Sequence, residues 1–468
     1  MTAPRTPGKG PRRASRQQRV GRPPRGARGA AYDLLHAVAA DDAYANLVWP
    51  TILADARLDA RDAGFATELA YGTLRWRGLY DEVLTRCVDR PLDKLDGRVL
   101  DLLRLGTHQI LSMRVPEHAA VSETVALTRQ VAGEGPAKLV NAVLRRVIDG
   151  GDRDAWIAKV APGDSRDELA IATSHPRWII TAFAEALAAH RGAPDPEGLR
   201  AVLAADNAPA SPVLVARDVS PEDLQNLPGV QPGRWSPLAA TLVDGRPEEL
   251  PLVRSGAVGV QDEGSQLVAL ALAAVPVEGR DQVWVDLAAG PGGKAALLAR
   301  EVGRRGGRLI AVEQHPHRAE LVRHSLPPGA HEVLVADGRE ALPAATADRT
   351  LIDAPCTGIG ALRRRPEARW RRSPGDLATL GPLQRELLDA AIALTRPGGV
   401  IAYSTCSPHM AETDLVVTDA LRRRGDVEMI DARAYLPDVP DLGPGPAVRL
   451  WPHLHGTDGM YLALLRRL

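Results

Sequence analysis

The stretch from residue 282 to residue 404 constrains this chain most. Five short apolar runs, "QVWVDLA" (282–288), "RLIAVE" (308–313), "HEVLVA" (331–336), "RTLIDA" (349–354) and "GVIAYS" (399–404), alternate with helical patterns. Runs this short and this continuously apolar read as strands buried on both faces, and the intervening helices make neighbouring strands parallel. The expectation is a doubly wound α/β domain over 256–468. Sheets of this kind bind ligands at the carboxyl ends of their strands. The residues that follow each run are therefore the candidate site residues.

The first run leads into "VDLAAGPGGKAALLA", a strand, a glycine-rich turn and a helix. It is not a phosphate-binding Walker loop, because Ala295 follows Lys294 and Ala288 stands where the first glycine belongs. Gly290, Gly292 and Ala295 fit a dinucleotide fingerprint, and Glu313 ends the second run twenty residues past Gly293. A carboxylate there accepts hydrogen bonds from a ribose, whether of NAD or of S-adenosylmethionine. Asp337, in "ADGRE", is suited to an adenine amino group.

The fourth and fifth runs end in "DAPC" and "STCSP", which brings Asp353, Cys356 and Cys406 to the same rim. The chain has only three cysteines. Hydride transfer has no use for two thiols here, but methylation of a pyrimidine carbon does. C5 of cytosine attacks a methyl sulfonium only after a thiolate has added to C6. One cysteine then serves as nucleophile and a second assists release. Cys87, on an apolar helix face, reads as core.

Upstream, residues 31–149 read as helices with short breaks, hence a compact bundle. Residues 150–167 are rich in glycine and aspartate and read as a linker. The rest of 151–255 is a mixed pre-catalytic segment with two helical stretches and two strands, "SPVLVAR" and "GAVGVQ". The first thirty residues carry nine basic residues and no acid, against 49 basic and 58 acidic residues in the remainder. Rich in proline and glycine, this arm is expected to be disordered, as an RNA- or membrane-surface-binding tail or a solubilising extension. It has no apolar leader segment, the longest apolar run is too short to span a bilayer, and three scattered cysteines give no disulfide framework. A reduced, cytoplasmic chain is expected.

Charge also gathers in "LRRRPEARWRR", where Arg363, Arg364, Arg365, Arg369, Arg371 and Arg372 surround Trp370. Guanidinium forks bind phosphate and an indole stacks on a base, so this run is expected to line an RNA-binding rim. His324 and His409 have no partners at metal-ligand spacing, and a metal-free site is expected.

Taken in order, "DLAAGPGGK", "AVE", "DGR", "DAPCTGIGALRRRPEARW", "YSTCSPHMAE" and "HGTDGMYLALL" resemble the motifs of the RNA cytosine-C5 methyltransferases, in particular the bacterial Fmu/Sun (RsmB) branch. Residues 31–150, with "YANLVWPTIL" and "ATELAYGTLRW", resemble the NusB-like RNA-binding domain of that branch. The resemblance implies that Ala288, Ala289, Gly290, Pro291, Gly292, Gly293 and Lys294 hold the methionine part of S-adenosylmethionine. It assigns Glu313 to the ribose, Asp337 to the adenine, and Asp353 to the methyl group and the cytosine edge. Cys406 becomes the nucleophile and Cys356 the release residue. The implied substrate is 16S ribosomal RNA before the subunit is fully assembled, handled by a monomer with no membrane partner. One local departure is "AAGPGGK" where the family often has "CAAPGGK". Two other readings stay open: a noncatalytic RNA-binding assembly factor, and a nicotinamide oxidoreductase.

Overall fold

The structure is a computed structural model that describes residues 26–468. Seven helices open it: Gly26–Ala40, Ala45–Ala56, Ala60–Arg75, Arg77–Cys87, Gly97–Ser112, Glu117–Ala132 and Glu134–Asp149. Their apolar faces gather two cores, one around Leu34, Leu69 and Leu102, the other around Tyr80, Val83, Val140 and Leu144. Cys87 belongs to the second, where burial pushes its thiol up to about 11. It is un-ionised at neutral pH and inert. The first helix claims residues 26–30 from the arm expected over 1–30. The rest of that arm lies outside the described residues.

Residues 150–167 are not the open linker expected from their composition. They carry the helix Arg153–Val160 and enter a second, Arg166–Ala172. Trp156 is the reason. Its ring is buried in the second helical core, and its Nε1–H donates to the Val147 carbonyl at 2.9 Å. The helices Arg177–Arg191 and Pro196–Asp206 follow. Then comes a small antiparallel sheet of β1 (Val213–Ala216), β2 (Val230–Pro232), β3 (Ala239–Leu242) and β4 (Val258–Val260), in the order β2-β3-β1-β4. β1 and β4 fall on the two expected strands.

The large sheet contains β5 (Val283–Asp286), β6 (Arg308–Val312), β7 (His331–Leu334), β8 (Ala347–Asp353), β9 (Thr395–Thr405), β10 (Val427–Ile430), β11 (Val448–Leu450) and β12 (Met460–Arg467). Its order is β10-β12-β9-β8-β5-β6-β7, with β11 also paired to β12. The five strands expected from the sequence are mutually parallel. β12 returns antiparallel along β9 and carries β10 and β11 on its far side. Successive side chains face opposite layers of helices. Trp284, Leu351, Val400 and Ala402 pack on one face, and Val285, Ile352, Ile401 and Tyr403 on the other. Burial of each such side chain stabilises by about 1.5–3 kcal/mol, which is why these strands show no polar alternation. No described helix is long and apolar enough to cross a membrane.

Candidate active site

β8 and β9 run parallel with Asp353 opposite Ser404, so both end at one rim. The Ala354 N–H still donates to the Ser404 carbonyl at 2.8 Å, and Pro355 then ends the ladder. The chain beyond Cys356 folds back over the end of β9. The Gly360 N–H donates to the Cys406 carbonyl at 2.8 Å and the Gly459 N–H to the Gly360 carbonyl at 2.7 Å. A Cβ on Gly360 would stand 2.0 Å from the Gly459 carbonyl oxygen, so only glycine allows this closure.

The closure leaves the Sγ atoms of Cys356 and Cys406 3.5 Å apart, unoxidised and partly buried. The two thiols are not equivalent. The hydrogen bond between them, then burial and the charges of Glu412 and Asp353, push Cys356 well above the usual thiol range. Cys406 is lowered, first by the hydrogen bond from Cys356, with Arg365 and Lys294 helping against burial and Asp353. These directions make Cys356 the better S–H donor of the pair and Cys406 the more readily ionised thiol.

Lys294, in the first turn of the helix Gly293–Gly303, is buried and places its Nζ 2.7 Å from the Asp353 carboxylate. Burial opposes its charge, but Asp353 outweighs burial and its pKa is raised. Asp353 also accepts from the Ser404 hydroxyl at 3.3 Å. Glu313 directly follows β6 and is almost fully buried, accepting from the His315 N–H at 2.9 Å and facing Arg318 at 3.5 Å. Arg318 in turn donates to the Gly290 carbonyl at 2.5 Å. A Cβ on Gly290 would lie 2.2 Å from a Glu313 carboxylate oxygen. The glycine-rich turn and the Glu313 carboxylate thus lie against each other. Asp337 follows β7 half-exposed, gripped by Arg339 at 2.6 Å, while Arg339 also reaches Glu386 at 2.5 Å.

Sequence reasoning missed two carboxylates here. Asp286, the last residue of β5, is fully buried behind the turn with one oxygen unpartnered. Burial, then the Asp353 charge, pushes it up to about 7. An acid ending an otherwise apolar strand was the available signal. Glu412, fully buried, closes the quoted motif "YSTCSPHMAE" but was not weighed as a residue. The orphaned Asp286 oxygen, the turn that a Cβ would fill and the carboxylates ending successive strands together fit S-adenosylmethionine.

The arginine run differs from its expectation. Arg369 is completely buried and donates to the carbonyls of Arg75, Ser174 and Asp206 and to the Asn207 side chain; burial lowers it to about 9. Trp370 packs on Gly78 of the helical region. Arg371 pairs with Asp42 and lies 4.6 Å over the Tyr44 ring. Arg363 and Arg364 face Asp262 and Asp458, and Arg363 donates to the Gly456 carbonyl. Arg369, Trp370 and Arg371 join the helical region to the catalytic domain, Arg363 and Arg364 are held by that domain's own acids, and none of them forms an open phosphate-binding face. Arg365 remains exposed, close enough to Cys406 to lower it. No group of three or more His, Cys, Asp or Glu able to hold a metal gathers among the described residues.

A parallel sheet with a glycine turn, and with carboxylates and two thiols gathered on one rim, is the arrangement of the Rossmann-like methyltransferases. A family model described as 16S rRNA methyltransferase RsmB/F matches residues 271–466, and the NusB family model matches residues 25–149. The chain is 50% identical over 466 residues to "Putative methyltransferase Rv1407" of Mycobacterium tuberculosis, covering 98% of this chain and 99% of that one. It is 30% identical to the ribosomal RNA small subunit methyltransferase B of Pseudomonas syringae, over 93% and 96% of the two chains. The solved structure of the protein PH0851 shares the fold over 96% of this chain and all of its own, with TM-score 0.78 and 22% identity. The chain belongs to the RsmB/F family of methyltransferases, with a NusB-like helical region at its N-terminal end. Membership in this family removes the nicotinamide reading.

Proposed function

We propose that this protein methylates C5 of a cytosine in small-subunit ribosomal RNA through a covalent bond between Cys406 and C6 of the base. The observation that carries the reading is the pair of thiols 3.5 Å apart with opposite protonation preferences, on the rim that also holds the glycine turn. The names of the family and of its relatives supply the RNA. When bound, S-adenosylmethionine supplies an electrophilic methyl group. Backbone from Ala288 to Gly293, with Lys294, Glu313 and Asp337, would hold it.

The chain's own residues prepare the base. Cys406 adds as thiolate to C6, and the ring electrons shift so that C5 becomes nucleophilic. Asp353, fixed by Lys294, orients the cytosine edge. Once C5 carries the new methyl group, its hydrogen leaves as a proton to solvent. The S–C6 bond breaks and Cys406 departs as thiolate. The Cys356 S–H, already aimed at that sulfur, stabilises the departing charge. A noncatalytic assembly factor has no use for a thiol pair of this polarity. Arg365 meets a phosphate at the rim, and the helical region up to residue 149 orients the RNA without joining the chemistry. The test is methyl transfer to 16S transcript with base-resolved mapping. The expected product is 5-methylcytosine, abolished by Cys406→Ala. Methylation of a ring nitrogen or a ribose oxygen would overturn the reading.

A further inference from the structure

Glu412 is a fully buried carboxylate that the steps above do not use. One oxygen accepts from the Thr357 N–H at 2.8 Å and from the Gln384 side chain at 3.2 Å. The other accepts from the Thr357 hydroxyl at 2.5 Å. Thr357 immediately follows Cys356, and its hydroxyl oxygen lies 3.1 Å from that of Ser407, which immediately follows Cys406. With Thr357 donating to Glu412, Ser407 donates to Thr357. Gln384 also donates to the Pro355 carbonyl at 2.9 Å, on the other side of Cys356. The Tyr403 hydroxyl, from β9, donates to the Glu412 carbonyl at 2.7 Å. One carboxylate thus gathers both thiol-bearing loops from below.

We propose that Glu412 is a positioning residue that ties the Cys356 loop to the Cys406 loop through Thr357 and Ser407 and so fixes the Cys356 thiol against the Cys406 sulfur. A buried negative charge beside a thiol disfavours its ionisation. The surrounding charges divide to match. Glu412 acts on Cys356 from below and Asp353 acts on both sulfurs. Lys294 and Arg365 act on Cys406. Tyr403 is itself pushed well up by burial and stays neutral. His409 is lowered by burial, so it is neutral at pH 7. Behind the bond to Cys406 and burial, Glu412 therefore adds to the difference between two cysteines in otherwise similar positions. The inference rests on the thiol pair of the proposed reaction, but its test needs neither RNA nor turnover.

The test is iodoacetamide labelling of the full chain between pH 6 and 10, with each cysteine followed by peptide mass spectrometry. In the parent, Cys406 labels at lower pH than Cys356. Glu412→Gln keeps the shape and removes the charge. It should move the Cys356 midpoint down by about one unit, a roughly tenfold faster reaction below the midpoint. Superimposable Cys356 curves would overturn the proposal. So would a pH-independent acceleration of both thiols, which marks a merely opened loop. Thr357→Val keeps the charge but cuts the link to Ser407, and serves if the Gln variant does not fold. Phenylarsine oxide needs two adjacent thiols, so its capture should weaken about tenfold in Thr357→Val, and unchanged capture would contradict the tie. If cytosine methylation failed while the labelling shift appeared, the fault would lie with the reaction and not with Glu412.

Discussion

Glu313 carries the cofactor side of the account at the scale of single residues. Its carboxylate is nearly buried, presses against Gly290 and is anchored by the His315 N–H. Glu313→Ala should weaken S-adenosylmethionine binding by about 1–3 kcal/mol, the loss of charge-assisted hydrogen bonds to ribose hydroxyls. Titration calorimetry would read this as a 5- to 150-fold rise in Kd, and unchanged affinity would remove Glu313 from the site. Residues of this kind were legible before the structure because each ends or closely follows a strand, and strand ends share a rim. Cys356, Cys406, Asp353, Glu313 and Asp337 were all found that way. Asp286 ends a strand too, but a buried acid reads as strand punctuation until its unpartnered oxygen is seen. Glu412 was invisible because its partners, Thr357 and Gln384, lie 55 and 28 residues away.

The segment from Arg363 to Arg372 shows the limit of charge patterning at the scale of an element. A run of guanidinium groups signals phosphate only when no acceptor of the chain itself reaches them. Here Asp262, Asp458 and the carbonyls of Arg75, Ser174 and Asp206 do, and none is near in sequence. Arg365→Ala should therefore weaken RNA binding and reduce its salt slope by about 1, with Tm unchanged. Arg369→Ala should leave the salt slope alone and cost about 3 kcal/mol or more, because it strands buried acceptors. RNA titrations across a salt series, run beside thermal melts, separate the two. The reverse pattern would restore the open-rim reading.

The same junction holds Asp206, fully buried, both oxygens unpartnered, 3.7 Å from a His175 that burial keeps neutral. Burial pushes Asp206 up to about 7, against about 3.9 in the unfolded chain. The native state keeps a proton that the unfolded chain releases, so stability falls as pH rises through that window. Asp206→Asn removes the titration. The drop in Tm from pH 5 to pH 8 should shrink by about 2 °C or more, and an unchanged drop would mean that Asp206 is not the titrating group.

At the scale of the whole molecule, the five-strand rhythm disclosed the catalytic sheet because burial on both faces leaves its mark in every strand. The docking of the helical region left no such mark, since it depends on contacts between residues far apart in sequence, Arg369 with Arg75, Arg371 with Asp42 and Trp370 with a single glycine. A Cβ on Gly78 would stand 2.5 Å from that ring. Gly78→Val should push the indole out and loosen the junction at a cost of about 1–3 kcal/mol. RNA methylation should fall while the isolated cofactor site keeps its affinity, as calorimetry and a methyl-transfer assay would read. Equal loss in both would mean general misfolding. The thiol chemistry joins protein, cofactor and RNA in one observable. Parent, Cys356→Ala and Cys406→Ala are each incubated with target RNA and S-adenosylmethionine, then run on denaturing gels to look for a protein–RNA adduct. The account predicts that Cys356→Ala attacks and transfers but releases slowly, so a cofactor-dependent adduct accumulates, whereas Cys406→Ala forms none and is inactive. An adduct trapped by Cys406→Ala and absent with Cys356→Ala would reverse the roles, and full turnover by both variants would contradict covalent catalysis altogether.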